Sequence, residues 1–424
     1  MAWSRRAFLK GALSTSLALP GARLAASEDA KAASDLPGAP TALGGRFPDL
    51  RRRFVFEYYP WYAASPVRHW DQWDRVPPED IASRYWPLLG PYDSRSRAVL
   101  ERHARWIAGC GAGAINLSWW GQGSYEDQAV PELMDVMRDH DIKVAFHLEP
   151  YAPDHGRRFA QDVLFLLREY GEKRSYDALL LLQGPTGPAP VFKGFRTIVP
   201  REEVDCHGKK SAEWDFTPDD EWRRQTDLVR SALGTEFSGA TFLADTVDIG
   251  RAKAGGFDGI AVYDCFVVPA DYARHARAAS EEGLLFSFNV NPGFDGIAAR
   301  KSLPDECPRL LPFAPEANPP LVWERAQDRE RAADLSDSRI QESFLSTLAV
   351  QTDAVLQNAK SDFLLVYLNS FNEWHEGTAF EPMLDASELT PSLRRRGYHN
   401  PSRGDRRLAA LSGLLARAAR ARGA

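Results

Sequence analysis

The chain reads as a (β/α)8 TIM barrel, an α/β fold in which eight parallel strands each feed a helix. Three observations lead there. Eight short apolar runs alternate with amphipathic segments between residues 54 and 368, the order that builds a parallel sheet. The first run leads into Tyr58-Tyr59-Pro60-Trp61-Tyr62. It lacks the glycine-rich phosphate turn by which a doubly wound open sheet, the runner-up, usually shows itself. Aromatic, amide and acidic residues follow most of the runs, at the edge of a barrel where functional groups collect.

In chain order, residues 1–26 come first. Ser4-Arg5-Arg6-Ala7-Phe8-Leu9-Lys10, an apolar run over 11–19 and Ala25-Ala26-Ser27 have the order of a twin-arginine export signal with small residues for cleavage. The apolar run is shorter than the roughly 20 residues of a spanning helix. No Cys precedes Cys110, so neither a lipoprotein anchor nor stable membrane insertion after cleavage is expected. The segment implies a protein exported already folded, to the periplasm or beyond. Residues 27–50, rich in Ala, Gly and Pro, read as a linker, and residues 51–400 as the catalytic barrel.

Within it, the strands are expected over 54–58, 114–118, 143–147, 178–182, 240–244, 259–263, 285–289 and 363–368. Helical periodicity covers 97–108, 129–139, 158–169, 220–233, 272–282 and 339–358. Residues 183–219 and 294–337 read as insertions over the C-terminal face. Residues 401–424 form an Arg-rich amphipathic helix, with Leu408, Leu411, Leu414 and Leu415 at helical spacing to dock on the barrel.

Charge narrows the partners. Without residues 1–26, which carry Arg5, Arg6, Lys10 and Arg23 and no acid, 48 basic residues face 58 acidic ones, a net charge of −10. Nucleic acid, which demands a basic face, is excluded as a partner. Twelve Trp and thirteen Tyr are many for this length and gather near strand ends, as at Tyr58, Tyr59, Trp61, Tyr62, Trp70 and Trp73. Such rings stack on sugars, although for any single Trp a place in the core is the commoner one. Cys110, Cys206, Cys265 and Cys307 show no metal-ligand spacing, and an oxidising compartment would permit disulfides.

The strand ends hold the chemistry. Glu57-Tyr58-Tyr59-Pro60-Trp61-Tyr62, Ser118-Trp119-Trp120-Gly121, His147-Leu148-Glu149-Pro150-Tyr151, Asp245, Tyr263-Asp264 and Asn289-Val290-Asn291-Pro292-Gly293 would ring one face. After the last run comes Asn372-Glu373-Trp374-His375-Glu376-Gly377-Thr378. Two carboxylates at one strand end are the minimum equipment for glycosidic cleavage, one to donate a proton and one to act as base or nucleophile. Acids at a helix start also serve the dipole, but that role calls for neither the neighbouring Trp nor the Asn. His147 and Glu149 alternate on a strand and face the same way, either as support or as substrate contacts. A metal site from His147, Glu149 and His375 lacks the HxH or HExxH spacing, and no cofactor is implied. No glycine-rich loop with Lys and no G-x-S-x-G is present.

On these residues the chain resembles glycoside hydrolase family 99, the endo-α-1,2-mannosidase and endomannanase family. The motifs are Tyr59-Pro60-Trp61-Tyr62, Gly90-Pro91-Tyr92-Asp93-Ser94, Ser118-Trp119-Trp120, His147-Leu148-Glu149-Pro150-Tyr151, Phe257-Asp258-Gly259-Ile260 with Tyr263, Asn289 to Asp295, and Ser370 to Thr378. They run in family order across the whole barrel.

The resemblance implies a retaining mechanism in which Glu373 deprotonates the sugar 2-hydroxyl, whose oxygen attacks the anomeric carbon to give a 1,2-anhydro sugar. Glu376 protonates the leaving oxygen and then activates water. An axial 2-hydroxyl trans to the leaving group, hence an α-mannoside, is required. Tyr263 matches the family tyrosine near the anomeric centre, Trp119 or Trp120 would stack on a more distal mannose, and His147 and Glu149 would hold hydroxyls. Tyr59, Trp61, Tyr151, Asn372 and Trp374 complete the expected substrate contacts. Asn291, Phe294 and Thr378-Ala379-Phe380-Glu381 depart from the usual family residues beside the substrate loops and bear on the exact glycan. Rival readings are a hydrolase of another α-linked polysaccharide, a glycan-binding barrel and a protein of surface-polysaccharide assembly.

Overall fold

The computed structural model describes residues 43–419 except 48, 175, 185–186, 206, 235–236 and 302–316. The export signal, Cys206 and Cys307 therefore lie outside the described residues. Eight parallel strands form the barrel: β1 (Phe54–Tyr58), β2 (Ala114–Trp119), β3 (Lys143–Leu148), β4 (Gly187–Gly194), β5 (Thr241–Ala244), β6 (Gly259–Val262), β7 (Leu285–Phe288) and β8 (Val366–Leu368). Their order is β7-β6-β5-β4-β3-β2-β1-β8, and a parallel bridge between Val290 and Leu368 joins the two ends. After them come α1 (Arg97–Cys110), α2 (Tyr125–Asp139), α3 (His155–Leu166), α4 (Asp219–Ala232), α5 (Ile249–Ala254), α6 (Pro269–Glu281), α7 (Ala326–Thr352) and α8 (Arg406–Ala419).

The strands are buried throughout and largely apolar because both faces are covered, with single polar residues facing the barrel interior. In β1, Phe54, Phe56 and Tyr58 pack outward against the helices. Val55 faces the interior with Ala114, Ala145, Val191, Leu243, Ala261, Leu365 and Tyr367. Small alanines beside bulky branched side chains let the interior fill without a pore. The helices follow from local signals as well. Ser124 caps α2 by accepting the Asp127 N–H at 3.0 Å, and α1 stops at Gly111, whose φ of 99° suits glycine.

Four expectations are corrected. The fourth strand is Gly187–Gly194, not 178–182. Residues 181–184 instead form the antiparallel arm of a hairpin with its first half, and Leu179 touches β3 only through an isolated bridge. Pro188 and Pro190 disguised the strand. They sit in the hairpin half, while Val191–194 pairs with β5 and residues 192–194 with β3. The six-residue α5 went unread, and α7 begins at Ala326 rather than 339 because its first turns are polar and exposed. Residues 43–50 are not all linker: Leu43, Phe47 and Leu50 are buried in the outer core.

Helix α8 lies against α1 and α7, with Leu408, Leu411, Leu414 and Leu415 buried. Cys110 and Cys265 are buried free thiols. Among the described residues no helix is long and apolar enough to cross a membrane.

Candidate active site

The segment after β8 turns across the C-terminal mouth of the barrel and carries both carboxylates. Glu373 is fully buried. Its N–H donates to Ser370 Oγ at 2.7 Å, and its Oε1 accepts the His375 N–H at 3.1 Å. Glu376 is half-buried, and Oε2 accepts the Tyr263 hydroxyl at 2.9 Å. That hydroxyl in turn accepts the Tyr59 hydroxyl at 2.9 Å. Tyr59 follows β1 and Tyr263 follows β6, so the acid is tied to opposite sides of the mouth. One carboxylate is thus enclosed and held by the His375 N–H, and the other stands on the open side with a phenol beside it. This is a division of labour suited to acid and base roles.

The turn is itself pinned. The N–H groups of Asp295 and Ile297 donate to the carbonyls of Glu376 (2.9 Å) and His375 (2.7 Å). Arg407 of α8 donates to the carbonyls of Gly377 (2.7 Å) and Ala379 (3.0 Å). Gly377 has φ 66°, and a Cβ there would stand 2.5 Å from the Asp295 carbonyl, so only glycine fits.

Around the carboxylates is an aromatic wall. His375 Nε2 donates to the His69 carbonyl at 3.0 Å. Its ring lies 5.7 Å from Trp61, 5.6 Å from His69 and 4.7 Å from Trp73. Trp61 stacks on His69 at 4.6 Å and meets Trp120 at 6.1 Å. Trp120 donates to Ser118 Oγ (3.0 Å), which donates to Glu149 (2.7 Å).

Below the mouth, inside the barrel, lies a charged layer. Glu57 accepts from Lys193 (2.6 Å), from Asn116 (2.9 Å) and from His147 Nδ1 (2.9 Å). Burial pushes the Glu57 carboxyl up, but the Lys193 charge and the hydrogen bonds from Lys193 and His147 override it and bring it down to about 2. Burial pushes Asp264 up to about 6, helped by the nearby charges of Asp245 and Glu376.

Of the residues expected at the site, Tyr59, Trp61, Trp120, His147, Glu149, Tyr263, Glu373 and Glu376 come together at the mouth or on its floor. Four do not. Trp119 points out of the barrel, donates to Asp127 at 2.8 Å and packs near Tyr151 and Phe165. Adjacent strand residues face opposite ways, so Trp119 cannot share a face with Ser118 and Trp120. Tyr151 turns to α3 and donates to Asp162 at 2.7 Å. Asn372 is buried with its amide spent on the Tyr59 backbone, accepting its N–H (2.8 Å) and donating to its carbonyl (2.9 Å). Trp374 is buried under the turn and donates to Glu381 at 3.1 Å.

Sequence reasoning missed Lys193, Arg407 and the Tyr92–Glu381–His103 support below Trp374. A lone Lys closing the apolar run Val191-Phe192-Lys193 was the available signal. Among the described residues no three His, Cys, Asp or Glu side chains gather as a metal cage, and His147, Glu149 and His375 form none.

Comparison with known proteins finds relatives over the same strands. A family model described as glycosyl hydrolase family 99 matches residues 52–180, the stretch from the start of β1 to the end of α3 and beyond. A glycoprotein endo-alpha-1,2-mannosidase-like protein of Danio rerio is 27% identical over 362 residues, covering 76% of this chain and 69% of the relative. The glycoprotein endo-alpha-1,2-mannosidase of Mus musculus is 25% identical over 381 residues, covering 81% of this chain and 71% of the relative. In three dimensions the GH99 endo-alpha-mannosidase from Bacteroides thetaiotaomicron overlays with a TM-score of 0.59 at 19% identity, covering 88% of this chain and 99% of that one. The overlay shares the fold, the relatives span most of the chain, and the family match falls on the strands that carry Tyr59, His147 and Glu149: the chain is a glycoside hydrolase similar to glycosyl hydrolase family 99.

Proposed function

We propose that the chain is a retaining hydrolase of α-mannosidic glycans, foremost α-1,2-linked ones, working through a 1,2-anhydro sugar. The observation that carries this reading is the unequal pair at the mouth: Glu373 enclosed, its N–H on Ser370 Oγ and its carboxylate on the His375 N–H, and Glu376 half-open and hydrogen-bonded to Tyr263. Glu373 takes the proton of the sugar 2-hydroxyl. The 2-oxygen forms its bond to the anomeric carbon as the bond to the leaving oxygen breaks, and Glu376 gives that oxygen its proton. Glu376, now a carboxylate, takes a proton from water as the water opens the epoxide, and Glu373 returns its proton to the 2-oxygen. Two inversions give net retention. The relative named glycoprotein endo-alpha-1,2-mannosidase lends support to the linkage. The order of residues in the twin-arginine segment supports export of this activity to the periplasm or beyond.

An activated 2-fluoro mannoside tests the mechanism. It has no 2-oxygen to attack with, so mass spectrometry should find neither turnover nor an ester on Glu373. In a two-carboxylate retaining enzyme the carboxylate attacks carbon and such sugars trap the ester. NMR of the first-formed product from a cleavable α-mannoside should show retained configuration. A stable adduct on Glu373, or an inverted product, overturns the 2-hydroxyl route.

A further inference from the structure

The reaction as written makes no use of the charged layer under the site. Glu57, Asn116, His147 and Lys193 stand on four neighbouring strands, β1 to β4, each at most 1% exposed. An ammonium in that position is costly unless it is paired. Lys193 is paired, with Glu57 Oε1 at 2.6 Å, and its Nζ also lies 4.4 Å from the Tyr367 ring centroid and 5.3 Å from that of Tyr263.

The consequence falls on His147. Glu57 is a carboxylate and can only accept, so the 2.9 Å contact to His147 Nδ1 is an Nδ1–H donation. A neutral ring protonated on Nδ1 carries a lone pair on Nε2. His147 Nε2 is buried and has no hydrogen-bond partner among the described residues. The ring stands 5.9 Å from Tyr263, whose hydroxyl holds Glu376, and 5.6 Å from Phe195. An unpartnered buried acceptor beside the acid is a place for a ligand donor.

Left alone, a carboxylate on Nδ1 favours a second proton on an imidazole. Lys193 cancels that charge. The other ionisable groups facing the layer are Asp245 after β5, which acts on both Lys193 and His147, Tyr367 of β8, which faces Glu57, and Tyr263 after β6, with Glu376 behind it.

We propose that Lys193 is a positioning residue: through Glu57 it keeps His147 a neutral imidazole whose Nε2 accepts a sugar hydroxyl in the site. This rests on the reading of the site as a glycan site. It predicts that the enzyme demands a hydroxyl at that place on the sugar. The analogue lacking it leaves Nε2 buried and unpaired, the situation in which sites discriminate most sharply.

The test has one arm that needs no substrate. Histidine-selective nitrogen-15 NMR of the free wild-type enzyme at pH 7 should show His147 as the Nδ1–H tautomer. An Nε2–H tautomer or an imidazolium overturns the proposal, and this measurement decides the matter even if a Lys193 variant does not fold. The second arm is the pH profile of kcat/KM for Lys193→Met. Its acid limb should move up by about one pH unit, with KM at pH 6 raised about tenfold, and adding Glu57→Gln should bring the limb back. A lysine that merely supports the fold would lower Tm without moving the limb. An unmoved limb, or a double variant displaced as far as the single one, refutes the charge-balancing role. Absence of turnover by the wild type on every α-mannoside, with the Nδ1–H tautomer present, would instead count against the mannoside reading.

Discussion

Replacing Asn372 by Ala removes a side chain that does the work of a neighbouring backbone. Its Oδ1 takes the Tyr59 N–H at 2.8 Å, and its Nδ2 reaches the Tyr59 carbonyl at 2.9 Å and Tyr92 Oη at 3.2 Å. Tyr59 and Asn372 are both wholly buried, so solvent cannot step in. Each backbone group left unsatisfied costs about 1–3 kcal/mol, hence about 2–6 kcal/mol for the N–H and carbonyl of Tyr59 together. At about 2.1 cal/mol/K of unfolding entropy per residue, 1 kcal/mol is worth on the order of 1 °C in a chain of this size, so Tm should fall by roughly 2–6 °C. Activity should fall too, because the Tyr59 hydroxyl holds Tyr263 and, through it, Glu376. Thermal denaturation paired with steady-state kinetics well below the transition is the assay. A Tm within about 1 °C of wild type, together with a large rise in KM, would show that the amide faces the sugar and that the assignment to the scaffold is wrong.

Glu376→Gln should cost about 10²–10⁴-fold in turnover of substrates with poor leaving groups, and less with an aryl or fluoride leaving group. Full activity on a natural glycan would remove Glu376 from the acid role. Burial pushes Asp162 up to about 6, so its favourable contribution is complete below its unfolded value near 4 and disappears as pH rises through about 6. Asp162→Asn, which keeps an acceptor for Tyr151, should therefore gain stability relative to wild type between pH 4.5 and 8, by at most about 3 kcal/mol. Denaturant midpoints at the two pH values check this, and an unchanged gap refutes it. Arg5→Lys with Arg6→Lys should leave the protein in the cytoplasm, and its appearance in the periplasmic fraction would rule out the twin-arginine address.

The parts of the molecule legible in the sequence are those whose cause is local. Burial on both faces makes β1, β2 and β3 short, mostly apolar runs, and such runs alternating with helices announce a barrel. Glu373 and Glu376 are legible because they share one turn. The fourth strand was hidden by Pro188 and Pro190, which a central strand would not tolerate but the hairpin arm does. Trp119 lies outside the site because alternation along β2 turns it away from Ser118 and Trp120.

Lys193 and Arg407 belong to another class. Lys193 meets Glu57 across 136 positions, and Arg407 meets the Gly377 carbonyl from a helix whose leucine pattern explains its docking without it. Periodicity reports the face that a helix buries in its neighbours, and it is blind to one long polar side chain reaching past that face. Yet the two carbonyls that Arg407 holds belong to the backbone leaving Glu376, and they are buried where an unpaired carbonyl is expensive. The geometry of the turn that carries both carboxylates is therefore set by the last helix of the chain as well as by the strand before it. That dependence is a property of the closed barrel, which brings α8 beside the mouth, and no window of sequence contains it.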